Sequence, residues 1–118
     1  MNQAYELGQW GENQAALYLK SIGHKILERN WRKGKAELDI ISEEENILVI
    51  TEVKTLSNEH HQRPSEQIGD KKERLLTEAA NAYIEQNQIN NECRFDVIEI
   101  VRSSMNLRHI KDAFRARI

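Results

Sequence analysis

Three residues near the middle of the chain have the types and spacing of a hydrolytic metal site. Asp39 and Glu52 carry hard oxygen donors, which together with the backbone carbonyl of Val53 and water suit octahedral Mg²⁺ or Mn²⁺. Lys54 lies two residues after Glu52, where its ammonium group can position or help deprotonate a metal-bound water aimed at a phosphate. Two buried carboxylates without a cation repel each other at a considerable cost in stability. The pattern therefore predicts phosphodiester chemistry with Mg²⁺ or Mn²⁺ as the cofactor.

A predicted β-hairpin brings these side chains together. ELDIIS and NILVITEVKTL are typical of two strands, and a short run of glutamates between them suits an antiparallel turn. Because side chains alternate along a strand, Asp39 is expected on the face opposite to Leu38 and Ile40. Either register of the hairpin sets Asp39 opposite Ile50 or Glu52, so the two acids share one face. A charged, exposed face of a half-buried sheet without any function is the alternative, because such spacings often arise by chance.

Glu12 is a second acid in an unusual place. It falls on the same helical stripe as Gly8, Gly11 and Ala15, which is expected to face the sheet. A carboxylate there needs a partner, and two readings stay open: a further metal ligand beside Asp39, or a salt bridge to a basic residue at the edge of the core. The neighbouring histidines at 60–61 lie in a polar loop and are expected to be solvated rather than ligands.

The hydrophobic pattern predicts the elements that must position these residues. Residues 3–22 have the period of a helix, and small residues on its buried stripe indicate close packing against a sheet. Further strands are expected at 25–32 and 94–100, a second helix at about 70–88, and a short closing helix at about 107–115. The second helix separates the third and fourth strands, which allows them to pair in parallel. The expected order is αβββαβα, an α/β fold with a mixed sheet.

Composition limits the class of protein. The chain has 118 residues, with 31% charged and 39% hydrophobic residues, which predicts one folded domain spanning residues 1–118. No apolar run approaches the ~18 residues of a membrane span, and the first residues lack the plan of a secretory signal. A cytoplasmic location without a membrane partner is therefore expected. Cys93 is the only cysteine, which excludes an internal disulfide and a cysteine-based zinc site.

The distribution of charge leaves two readings open. The net charge of −2 gives no overall attraction to nucleic acid, but basic residues cluster between positions 20 and 35 and in the last part of the chain. These clusters are either solvated surface or contacts for phosphates. In the first cluster, the candidates for nucleic-acid binding are Arg29, Arg32 and Lys33. Trp31, which lies among them, is interpreted as a core residue, with stacking on an unpaired base as the alternative.

Six segments in order resemble one bacterial family. They are GQWGENQAALYLKSIGHKILERNWR, AELDII, ITEVKT, DKKERLLTEAANAYI, RFDVIEI and HIKDAF, and together they cover nearly the whole chain. The chain resembles the YraN family of endonuclease-like proteins, which is placed in the restriction-endonuclease-like PD-(D/E)xK superfamily with the archaeal Holliday junction resolvases. It departs from the family pattern at Ala36, where glycine is usual, and at Thr51, where an apolar residue is commoner. Neither departure removes a proposed ligand.

The resemblance implies a fold and a set of roles. The fold is a restriction-endonuclease-like mixed central sheet flanked by helices. The residues that the resemblance puts in the metal-and-water positions are Glu12, Asp39, Glu52 and Lys54. Lys71 matches a basic position at the start of the second helix that contacts phosphate, and Asp96 matches a recurrent family residue to which we assign a structural role, such as binding an arginine or capping backbone groups.

The leading hypothesis is a Mg²⁺-dependent endonuclease that binds and hydrolyses DNA, branched or otherwise structured DNA included. One alternative is a nucleic-acid-binding module that keeps the fold without turnover. The other is a protein-interaction adaptor whose acids dock a basic partner. Oligomeric state and substrate preference do not follow from the sequence.

Overall fold

The computed structural model describes residues 2–58 and 69–116. Within these ranges the elements are α1 (Gln3–Ser21), β1 (Lys25–Lys33), β2 (Ala36–Glu44), β3 (Ile47–Leu56), α2 (Asp70–Gln86), β4 (Glu92–Val101) and β5 (Leu107–Phe114). The side chain of Asn2 caps α1 by accepting a hydrogen bond from Ala4 N at 2.9 Å. Gly23 follows the helix with a φ of +100°, a conformation that favours glycine and stops the helix. Neither described helix is long and apolar enough to cross a lipid bilayer.

The five strands form one mixed sheet in the order β1-β2-β3-β4-β5. β2 and β3 are an antiparallel hairpin, as predicted. Its two turn residues, Glu45 and Asn46, have φ values of +49° and +73°, which is typical of the tight turns that match the twist of a hairpin. β3 and β4 are parallel, with Thr51 opposite Asp96, because α2 carries the chain from the end of one strand to the start of the other.

The two helices pack on opposite faces of this sheet. The buried cluster under α1 contains Ala15, Ala16, Leu19, Ile40 and Ile98. The larger cluster under α2 contains Ala36, Leu38, Ile41, Leu48, Ile50, Leu76, Ala79, Ala80, Tyr83, Phe95 and Val97. Gly11 permits α1 to approach the sheet closely, because a Cβ at that position would overlap the side chain of Thr55. The close approach expected from the small residues of α1 is confirmed.

The closing element is a strand, and the predicted helix at 107–115 is wrong. β5 pairs antiparallel with β4, and Ile98 lies opposite His109. Asp112 has a φ of +53°, which no α-helix contains, and it lies near a register shift in the β4–β5 pairing. Phe114 stacks on Phe95 with ring centroids 4.7 Å apart. The segment is short enough for its hydrophobic pattern to fit either a helix or a strand, and pairing along the edge of β4 makes it a strand. The sheet with a helix on each face is the restriction-endonuclease-like architecture, with a fifth strand in place of the last helix.

Candidate functional site at the separation of two strands

Asp39 lies where β2 and β3 stop pairing. The antiparallel ladder that starts at the turn ends with Ile40 opposite Thr51. Beyond that pair, Asp39 Oδ2 accepts a hydrogen bond from the backbone N–H of Val53 at 2.9 Å. A side chain therefore takes the place of the main-chain acceptor, and the two strands part around a carboxyl group. The amide of Val53, whose carbonyl was predicted as a ligand, is thus the group that orients Asp39.

The strict alternation predicted for β2 is interrupted at Asp39. Leu38 and Ile41 both pack under α2, whereas Ile40 packs under α1. Regular alternation would have placed Leu38 and Ile40 on one face. On the neighbouring strand β1, Asn30 has a φ of +56°, and the register omits the pair between Asn30 and Asp39. Asp39 lies at the break in the alternation of β2, opposite the irregular backbone of β1 at Asn30, and it faces the gap between β2 and β3.

Asp39 and Glu52 meet in this gap. Burial raises the pKa of Asp39 to about 9, and both the charge of Glu52 and a hydrogen bond between the two carboxyl groups act in the same direction. The bond from Val53 N opposes the shift without cancelling it. The raised pKa means that the pair holds a proton at neutral pH, where two anions would repel each other.

Lys72 is the cation beside the pair, and the sequence analysis missed it. Its Nζ lies 2.9 Å from Glu52 Oε2. The hydrogen bond to Glu52 raises the pKa of Lys72. Lys71, the residue predicted to act at this end of the helix, is exposed. The helical period could have predicted this position. Lys72 lies one turn before Leu76, a residue of α2 that is buried against the sheet, so both are on the face of α2 that points to the sheet.

Of the two roles left open for Glu12, the structure shows the salt bridge. Glu12 is only 8% exposed, and its Oε1 accepts hydrogen bonds from Arg29 Nη2 at 3.1 Å and from Asn30 Nδ2 at 2.8 Å. Arg29 also donates to Asn13 Oδ1 at 2.7 Å. Arg29 was predicted to contact nucleic acid, but its guanidinium group binds α1 to β1.

A cavity of about 630 Å³ opens between α1 and the separated strands. Glu12 and Asp39 both line it, as do Tyr5 of α1, Asn30 and Arg32 of β1. The strand separation that exposes the carboxyl group of Asp39 is thus also what admits a ligand to it. The arrangement gives a concave site with two acids in its wall and an aromatic residue among its lining residues.

The remaining cations predicted on the strands lie on β1 and β3. Lys54 is half-buried on β3, and strand alternation places it on the face that carries Glu52. Arg32 forms an ion pair with Glu37 at 2.9 Å, and its side chain is 77% exposed. Lys33 is exposed at the end of β1. Trp31 packs edge-on against Tyr83 with ring centroids 5.3 Å apart, which confirms the core reading for that residue.

The structure brings two of the three predicted acidic ligands together. Among residues 2–58 and 69–116, no group of three or more His, Cys, Asp or Glu side chains is arranged to hold a metal ion. Asp39 and Glu52 meet, while the carboxylate of Glu12 is held by Arg29. The donors still fit a divalent cation, because a proton and the Lys72 ammonium now offset the repulsion that a cation would offset. The histidines at 60–61 lie outside the described residues.

Asp96 has the structural role assigned to it. It is fully buried, and its oxygens accept hydrogen bonds from Arg94 Nε at 2.8 Å and from the backbone N–H of Asp112 at 3.0 Å. His109 Nε2 lies 2.8 Å from its Oδ2, and His109 Nδ1 lies 3.1 Å from the Tyr18 hydroxyl. Both predicted partners, an arginine and a backbone group, are present. The cluster ties β5 to β4 and to α1.

Comparison with known proteins identifies the family. Residues 11–100 match the model of the family described as uncharacterised protein family UPF0102. The chain belongs to the UPF0102 family. It is 46% identical over 116 residues to the UPF0102 protein of Bacteroides thetaiotaomicron, an alignment that covers 97% of this chain and 96% of the relative. The UPF0102 proteins of Flavobacterium psychrophilum and Clostridium botulinum are 40% and 39% identical, over 97% and 93% of this chain and 98% and 94% of theirs.

The UPF0102 match covers the acidic site but not all of its surroundings. Glu12, Asp39, Glu52 and Lys72 fall inside residues 11–100. Tyr5 of the cavity and the whole of β5 fall outside them. The resemblance inferred from the sequence is confirmed at the level of the family, and the alignments to UPF0102 relatives extend it over nearly the full chain.

Proposed function

We propose that this UPF0102 protein is a metal-dependent nuclease-like protein that binds DNA, branched or structured DNA included, and hydrolyses its phosphodiester bonds. The observation that supports this most directly is the Asp39–Glu52 pair. Two carboxyl groups meet in a nearly buried gap between strands, at the edge of a cavity, and within residues 2–58 and 69–116 a proton and Lys72 offset their repulsion. Stability alone favours apolar residues at such a position. An acid whose pKa is strongly raised, beside a cavity, is typical of catalytic sites.

The chain's own residues have distinct roles in this proposal. Asp39 and Glu52 would hold Mg²⁺ or Mn²⁺, which supplies a Lewis acid for a phosphate oxygen. Val53 fixes Asp39 through its amide. Lys54, on the same face as Glu52, orients the attacking water. Cations at the edge of the site contact phosphates of the strand, and these are Arg32, Lys33 and Lys71.

The test combines metal binding with a cleavage assay. Purified protein is incubated with Mn²⁺ or Mg²⁺ and a labelled panel of linear, nicked, flapped and four-way DNA. Asp39→Asn and Glu52→Gln are expected to abolish cleavage and to lower Mn²⁺ affinity measured by calorimetry, and Lys54→Ala is expected to abolish cleavage alone. Glu78→Gln, on an exposed position of α2, is the matched control. Unchanged Mn²⁺ binding and cleavage in the first two variants contradict the proposal.

A nucleic-acid-binding module without turnover is the second candidate. The observation that favours it is the carboxylate of Glu12, which is held by Arg29 and Asn30 rather than turned to Asp39. This candidate predicts salt-sensitive DNA binding in EDTA, lost on charge reversal at Arg32 and Lys33, and no cleavage with either metal. Cleavage that depends on Lys54 excludes it.

A further inference from the structure

We propose that the cavity beside Asp39 receives one unpaired nucleotide of a DNA strand, with Tyr5 as the surface on which its base stacks. The inference rests on the proposed function and specifies its substrate class: DNA with single-stranded or unpaired segments, rather than intact duplex. Three features of the cavity carry it, namely its size, the open face of α1 and a replaceable ion pair at its edge.

The size of the cavity suits one nucleotide. Its volume of about 630 Å³ lies in the range of sites that enclose a single small molecule. Duplex DNA is stiff over many base pairs and keeps its bases stacked inside, so a phosphodiester of intact duplex does not follow a concave wall. A nucleotide that is already unpaired enters such a pocket without the cost of unstacking and unpairing.

One face of α1 is open towards this cavity. Tyr5, Gly8 and Glu12 recur at spacings of three and four, and all three line the cavity. Tyr5 is 64% exposed, and its hydroxyl accepts a hydrogen bond from Gln9 Nε2 at 3.3 Å, which orients a ring whose surface is available. Aromatic side chains exposed in this way are the usual platforms for unpaired bases.

Gly8 is the second observation on the same face. Glycine inside a helix is destabilising, and at Gly11 the close approach of Thr55 explains it. At Gly8 the described part of the chain offers no such explanation, because a Cβ built there meets none of its atoms within 4 Å. The missing side chain leaves room in the cavity between Tyr5 and Glu12. That room is what a bound nucleotide needs.

Arg32 supplies the contact for the phosphate. Its ion pair with Glu37 lies at the edge of the cavity, and its side chain is 77% exposed. Exposed ion pairs contribute little to stability, so exchanging Glu37 for a phosphate costs little. The planar guanidinium group binds phosphate through two parallel hydrogen bonds. The base on Tyr5 and the phosphate on Arg32 then lie along the same wall as Asp39.

The test measures DNA binding by fluorescence anisotropy in EDTA, which separates it from catalysis. The probes are a labelled single-stranded 20-mer, the same sequence as blunt duplex, and a duplex with a single-stranded gap. Single-stranded and gapped DNA are expected to bind at least tenfold more tightly than blunt duplex. Tyr5→Ala is expected to weaken single-strand binding about five- to a hundredfold, and Tyr5→Phe to restore it.

Two further variants make the result specific. Gly8→Leu fills the open face without touching the packed side of α1, so it is expected to keep or raise the melting temperature while it weakens single-strand binding by a similar factor. Leu17→Ala changes another exposed apolar residue of α1 that does not line the cavity, and it is expected to bind like the parent protein. Equal binding of duplex and single strand, or unchanged binding in both Tyr5→Ala and Gly8→Leu, overturns the inference.

The outcomes also separate this inference from the proposed function. If the protein binds DNA with the expected pattern but cuts none of the DNA substrates, the inference is supported and the proposed nuclease activity is contradicted. Cleavage of intact duplex that Tyr5→Ala leaves unchanged supports the nuclease activity and overturns the inference.

Discussion

The carboxyl groups of Asp39 and Glu52 share a hydrogen bond at the point where β2 and β3 separate. The pair holds a proton at neutral pH, and Lys72 of α2 forms an ion pair with Glu52. A proton and an ammonium group therefore offset the repulsion between the two acids. The raised pKa of Asp39 lowers the free energy of unfolding at neutral pH. This effect can be measured without any substrate.

Asp39→Asn is expected to stabilise the folded protein. In the unfolded chain Asp39 loses its proton near its ordinary pKa, whereas the folded protein must keep the group protonated at neutral pH. An amide in its place accepts from Val53 N and donates to Glu52 without that cost. We expect the free energy of unfolding at pH 7 to rise by roughly 1–3 kcal/mol, measured by urea denaturation. Glu78→Gln is expected to change it by less than about 0.5 kcal/mol. A destabilised Asp39→Asn protein contradicts this account of the pair.

The same pair predicts a fall in stability as pH rises. The pKa of Asp39 is raised to about 9 on folding, so its contribution to stability is complete below the unfolded pKa of 3.8 and is lost as pH approaches 9. Between these values the folded state binds more protons than the unfolded state, and the free energy of unfolding decreases with pH. We expect a slope of roughly 1 kcal/mol per pH unit between about pH 7 and 8.5.

Asp39→Asn supplies the control for that slope, because it should flatten the profile in this window. His24 and Cys93 do not interfere there. Burial lowers the pKa of His24 from 6.5, so its effect falls at lower pH, and burial raises the pKa of Cys93 from 9.0 to about 11, so its effect falls at higher pH. An equal slope in the two proteins places the titrating group elsewhere.

Lys72 and Lys71 are expected to differ although they are neighbours. Lys72→Ala removes the ammonium group from Glu52 and should destabilise the protein by roughly 0.5–1.5 kcal/mol, since the lysine is half exposed and the carboxylate nearly buried. Lys71→Ala should have an effect below about 0.5 kcal/mol, because Lys71 is exposed.

The variant that lowers stability, Lys72→Ala, should bind metal more tightly. If Asp39 and Glu52 hold a divalent cation, removal of the competing charge in Lys72→Ala is expected to increase Mn²⁺ affinity about three- to tenfold in calorimetry. Lys71→Ala should leave Mn²⁺ affinity unchanged. Weaker Mn²⁺ binding in Lys72→Ala would mean that this lysine supports the cation site rather than substituting for the cation.

The sequence predicts the pairing of the hairpin because its tight turn leaves few registers. Counting from that turn places Asp39 beside Glu52, and the observed pair of Ile40 with Thr51 agrees. Counting does not reveal the irregular backbone at Asn30, which has a φ of +56° and lies opposite Asp39. A positive φ at asparagine is set by tertiary contacts, in this case with Glu12, and one sequence does not contain that information.

Side-chain partners are less predictable than strands for a physical reason. The partner of Glu12 depends on which of several basic residues reaches α1, and Arg29 was assigned to DNA instead. The closing segment shows the same limit at the level of an element, because its period suits a helix while its neighbours in space provide a strand edge. In both cases contacts between distant parts of the chain decide among options that are locally equivalent.

The two glycines of α1 are expected to respond in opposite directions to the same substitution. Gly11→Ala places a methyl group against Thr55 and should destabilise the protein by roughly 1–3 kcal/mol, because the helix must move away from β3. Gly8→Ala places the methyl group in open space and should stabilise the helix by roughly 0.5–1 kcal/mol.

Urea denaturation of the two variants measures the difference directly, and each is the control for the other. Thr55→Ser in the background of Gly11→Ala removes one of the atoms that the new methyl group meets, so it should recover part of the lost stability. Equal effects of the two alanines would show that helix propensity alone acts at both positions. In that case the close approach of Thr55 would not be the reason for glycine at position 11.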